Sequence, residues 1–65
     1  MPSKKPLYTI LVSSGTLEVE ADRNSIAGCM EFLRQVKNVG YVEGIAQIKS
    51  NRSNQVLTQI ILEDD

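Results

Sequence analysis

Only one stretch of this chain, residues 22–40, can form a long amphipathic helix, and two strand-like runs lie on each side of it. Apolar side chains recur there at Ile26, Cys29, Met30, Leu33, Val36 and Val39, close to the i, i+3, i+4, i+7 spacing of one buried stripe. Arg23, Glu31, Arg34, Gln35 and Asn38 fall mostly on the opposite face. Asp22 is the expected N-cap, its carboxylate accepting from a backbone N–H one turn in. Ser25 is the rival cap and would shorten the helix by about one turn. Gly40 can take positive φ just past the last turn. Gly28 costs ~1 kcal/mol relative to alanine in a helix interior, which points to close packing at that position.

The flanking runs read as strands. Leu7 to Val12 is rich in β-branched and aromatic residues and apolar on both faces, with Tyr8, Ile10 and Val12 on one side and Leu7, Thr9 and Leu11 on the other. A turn centred on Gly15 leads to Leu17–Ala21, where Leu17, Val19 and Ala21 alternate with Glu18 and Glu20. After the helix, Tyr41–Lys49 is the third strand, residues 50–54 a polar turn, and Gln55–Leu62 the fourth strand. The expected fold is therefore α+β, in the order β-β-α-β-β: a four-stranded, antiparallel-rich sheet with one helix on one face. Placing the two most apolar strands, the first and fourth, at the centre predicts the order 2-1-4-3. Residues 1–6 read as a basic tail and 7–65 as one small domain.

Size and composition narrow the function classes. A chain of 65 residues has a marginal core unless a staple or partner supports it. Its one cysteine excludes an internal disulfide, and the N-terminus lacks the apolar segment of a secretory leader, so a cytosolic setting is expected. No apolar run is long enough to cross a membrane as a helix. A net charge of −1 supplies no overall field toward nucleic acid or lipid.

Chemistry is sparse. Histidine is absent, which removes the commonest general base and metal ligand. Cys29 falls on the apolar stripe and reads as a buried, inert thiol. Glu18 and Glu20 share the outward face of one strand, where acids serve solvation and guard against edge-to-edge association. Asn51-Arg52-Ser53 matches a glycosylation sequon, which has no meaning without secretion. No catalytic, metal-binding or cofactor-binding set is expected, and the chain reads as non-enzymatic.

Two features stand above this background. One helix covers one face, so apolar groups on the other face of strands 1 and 4 would need a partner. Tyr8, Ile10 and Val12, or alternatively Leu7 and Leu11, together with Leu57 and Ile61 are the candidate dimer face. Second, the strand directions gather Lys4, Lys5, Arg23, Lys49 and Arg52, five of the seven basic residues, at one end. That end is a candidate site for a partner or an anion. The expected function is a small protein-binding module, an adaptor or inhibitor of a larger protein acting as a homodimer. The alternative is nucleic-acid backbone binding through the basic end.

Overall fold

The computed structural model describes residues 6–41 and 43–63. The elements follow in the order β1 (Tyr8–Ser14), β2 (Leu17–Arg23), α1 (Ile26–Asn38), β3 (Gly44–Ser50) and β4 (Gln55–Leu62). They form an α+β fold in which all neighbouring strands are antiparallel. Residues 1–5, which hold most of the expected tail, lie outside the described residues, as do Val42, Asp64 and Asp65.

The sheet order is β2-β1-β3-β4, not 2-1-4-3. The directions expected for the four strands hold; the exchange of β3 and β4 is the correction. β2 and β3 both run against β1 and flank it, so α1 bridges a single intervening strand and lies over β1. With β4 in the centre, the crossover would have had to span two strands and set β1 parallel to β4. The apolar character of Gln55–Leu62 suggested a central strand, yet β3 fills that place with the small Ala46 and with Ile48, both fully buried.

The helix starts one turn later than Asp22 would have it. Ser25 is the N-cap, in an extended conformation, and its Oγ accepts from the Gly28 N–H at 3.0 Å. Asp22 and Arg23 instead continue β2, paired with Thr9 and Tyr8 of β1. At the other end Gly40 has φ 121°, Tyr41 N–H donates to the Val36 carbonyl and Gly40 N–H to that of Lys37. This is a Schellman cap closed by glycine. It also explains why β3 starts at Gly44 rather than Tyr41: the Tyr41 N–H is spent on the helix end.

The core lies between α1 and the inner sheet. Ile10 and Val12 of β1, Ala46 and Ile48 of β3 and Leu62 of β4 meet Cys29, Leu33 and Val36 of the helix. Gly28 is where the expected close packing occurs: a Cβ there would lie 3.3 Å from both Arg23 Cβ and Ser25 Oγ. The missing side chain leaves room for Arg23 to cross the first turn and put its guanidinium 5.3 Å from the centre of the Phe32 ring.

One close approach has no counterpart in the sequence pattern. Gly44 opens β3 at φ 143°, and a Cβ on it would stand 1.9 Å from the Ser13 carbonyl oxygen. Only glycine lets the β3 backbone come this near to β1. Gly44→Ala is expected to destabilise the fold by about 3 kcal/mol or more, through strain and displacement of β3. Chemical denaturation of the two proteins measures the difference.

Candidate protein-docking surface

The two faces of the sheet differ sharply. The pairing register puts Tyr8, Ile10, Val12, Val19, Ala21, Ala46, Ile48, Ile60 and Leu62 on the helix side. The opposite face carries Thr9, Leu11 and Ser13 of β1, the acids Glu18, Glu20 and Asp22 of β2, and Ile45, Gln47 and Lys49 of β3. β4 adds Gln59 and Ile61 there. A bulge follows, because Ile48 pairs with Thr58 and Lys49 with Val56, which leaves Leu57 extra. At such a two-against-one step Val56 and Leu57 both turn toward the open face.

This corrects the candidate dimer face. Ile10 and Val12 are fully buried beneath the helix, and Tyr8 packs against the same core. They cannot belong to an uncovered surface. Leu57 and Ile61 do, at 51 % and 67 % exposure, joined by Val56, Ile45 and Leu7. Strands β1 and β4 share an apolar character in sequence, and only the position of the helix separates their roles.

β4 is the least covered element. The helix backbone lies close to β2, β1 and β3 and stays away from β4, of which only Ile60 and Leu62 reach the core. Of its eight residues only Ile60 and Leu62 are even partly buried. A fully buried aliphatic side chain gains roughly 1.5–3 kcal/mol over an exposed one. Val56, Leu57 and Ile61 forgo most of that. On the helix side, Ile26 and Met30 project from the flank of α1 turned away from Arg23 and Phe32, and both are exposed.

The face is polar at its centre. Gln47 Nε2 donates to Gln59 Oε1 at 3.1 Å, and a shallow depression of about 90 Å³ is lined by Thr9, Leu11, Glu20, Gln47, Lys49 and Val56. At the end near the β3–β4 turn a chain of hydrogen bonds ties β1, β2 and that turn together. Asn51 Nδ2 donates to the Pro6 carbonyl at 3.1 Å and to Thr9 Oγ1 at 2.9 Å, and the Thr9 hydroxyl donates to Asp22 Oδ1 at 2.8 Å. The Asn51 N–H also donates to the Leu7 carbonyl at 2.9 Å. With its amide nitrogen engaged twice, Asn51 is a structural latch.

The five basic residues do not form one patch. Lys4 and Lys5 lie outside the described residues. Arg23 folds back on the helix side, over Phe32, with Nη1 donating to the Asp22 carbonyl at 2.7 Å. Lys49 is partly buried on the open face, where Thr9 separates it from Asp22 in the same cross-strand row. Arg52 stands exposed in the turn. Arg23, Lys49 and Arg52 share one end of the sheet, as expected, but Arg23 and Lys49 leave it on opposite faces.

Cys29 is fully buried, and burial pushes its thiol above the ordinary value, against a smaller opposing influence of Arg23. Among the described residues no three Cys, Asp or Glu side chains gather closely enough to share a metal ion. No helix of the described residues is long and apolar enough to cross a membrane. Comparison with protein-family models, with curated proteins and with solved structures finds no match to this chain.

Two outcomes are expected. Asn51→Ala should lower stability by about 1–3 kcal/mol in denaturant titration, because the Pro6 carbonyl and Thr9 hydroxyl lose their donor. The Cys29 thiol should react with an aromatic disulfide reagent only as fast as the fold opens, so its labelling rate should rise with denaturant along with unfolding.

Proposed function

We propose that this protein is a small, non-enzymatic, cytosolic protein-binding module, an adaptor or inhibitor of a larger protein, that works as a homodimer. The observation that carries the reading is the uncovered side of the sheet: aliphatic residues at Leu7, Ile45, Val56, Leu57 and Ile61 surround a polar centre at Thr9, Gln47 and Gln59. Several exposed apolar groups gathered on one face mark a contact surface, here arranged around a polar centre rather than inside a polar rim. The acidic row of Glu18, Glu20 and Asp22 along one side favours a partner that brings basic groups to that edge.

Nucleic-acid backbone binding through the basic end has less support. A phosphate strand following Arg52 could engage Lys49 on one face or Arg23 on the other, not both, and Asp22 lies between them. Immobilised protein tests the two readings with host lysate. A stoichiometric protein partner should be retained by the wild type and by Arg52→Glu, and lost with Ile45→Glu, whose unfolding midpoint should match the wild type. Retention of nucleic acid that disappears with Arg52→Glu and with added salt would overturn the reading in favour of the alternative.

A further inference from the structure

The two edges of this sheet are chemically opposite. β2 carries Glu18, Glu20 and Asp22 on one face, so a second copy pairing with it about a two-fold axis would set acid against acid. β4 has no charged residue from Gln55 to Leu62. Among the described residues its outer edge has no neighbouring strand, and the helix backbone stays away from it. A long, uncharged, apolar edge is a template for another strand.

We propose that β4 pairs antiparallel with β4 of a second copy, joining two four-stranded sheets into one of eight strands. The inference rests on the homodimeric reading above and names the strand and register it uses. Centring the two-fold on Gln59 sets Gln59 opposite Gln59, Ile61 opposite Leu57 and Ile60 opposite Thr58. Ile61 and Leu57, 67 % and 51 % exposed alone, then form two cross-strand aliphatic pairs on the open face. The Gln47–Gln59 hydrogen bond extends through the axis into a row of four glutamines. Shifting either strand by two residues would face Ile61 with a glutamine instead.

Charge selects the direction. β4 begins after Arg52 and ends before Glu63. Antiparallel pairing brings Glu63 of each copy toward the turn that holds Arg52 of the other, whereas parallel pairing would align Glu63 with Glu63. The bulge at Leu57 confines regular pairing to the Leu57–Ile61 segment and to about four to six main-chain hydrogen bonds. An interface of that extent is smaller than the ~800 Å² per partner of a standard complex, so the dimer is expected to dissociate on dilution. Where it forms, the open faces of both copies become one continuous surface for the larger partner.

Sedimentation velocity across roughly 1 µM to 1 mM tests the proposal. The wild type should pass from monomer to dimer over that range. Ile61→Lys should stay monomeric with an unchanged unfolding midpoint, while Glu20→Lys, on the other edge, should not weaken the dimer. Gln59→Cys should give a disulfide-linked dimer on mild oxidation, and Glu20→Cys should not. A wild-type dimer that Ile61→Lys leaves intact, with Gln59→Cys uncrosslinked, would overturn the edge pairing and leave the homodimeric reading standing. A wild type that stays monomeric throughout would overturn both, with lysate retention still reporting separately on partner binding. If that monomer loses lysate retention with Ile61→Lys, the edge takes a strand of another protein.

Discussion

A helix about 10–12 Å across cannot cover four strands spaced about 4.8 Å apart. That mismatch of widths governs this molecule. α1 lies over β1, reaches its neighbours β2 and β3, and leaves all of β4 but Ile60 and Leu62 outside its shadow. The buried core is accordingly small: Ile10, Val12, Ala46, Ile48 and Leu62 from the sheet, and Cys29, Leu33 and Val36 from the helix. Leu17, Ile45, Val56, Leu57 and Ile61 of the sheet stay exposed. The proposed docking role grows from that surplus.

The short core is reinforced by polar and backbone devices at the sheet's two ends. At one end Asn51 binds the Pro6 carbonyl and, through Thr9, the Asp22 carboxylate, so β1, β2 and the β3–β4 turn hold one another in register. A charge-assisted bond such as Thr9 to Asp22 is stronger than a neutral one, which suits a strand edge with little burial. At the other end the backbones of Gly44 and Ser13 close to a distance that any side chain would forbid. The β1–β2 turn has Gly15 at φ 64° in its first central position, and the β3–β4 turn uses Asn54 at φ 59°. Asparagine is among the few residues other than glycine that take this conformation readily.

The asymmetry of the edges follows from the same arrangement. β2 is shielded on its inner face by α1 and carries acids on its outer face. β4 has neither protection, apart from the bulge at Leu57. An edge left both apolar and uncharged would be a hazard in a molecule that had no use for it. This contrast between the two edges is what makes β4, rather than β2, the natural seam for a second copy.

What the sequence determined by itself was local. The 3.6-residue period of Ile26 to Val36, the period of two in Leu17–Ala21, the turn residues at Gly15 and 50–54 and the glycine at position 40 are enough to specify five elements and the directions in which the strands run. The competition between Asp22 and Ser25 to cap the helix was also visible, but not its outcome. That depended on Thr9 claiming the Asp22 carboxylate from a strand thirteen residues away in sequence. Tertiary structure alone decided the strand order, the face to which Ile10 and Val12 belong, and the separation of Arg23 from Lys49. An apolar strand has the same pattern whether its sides are covered or bare, because burial is a property of its neighbours. β4 looks central in sequence and stands at the edge in space for that reason.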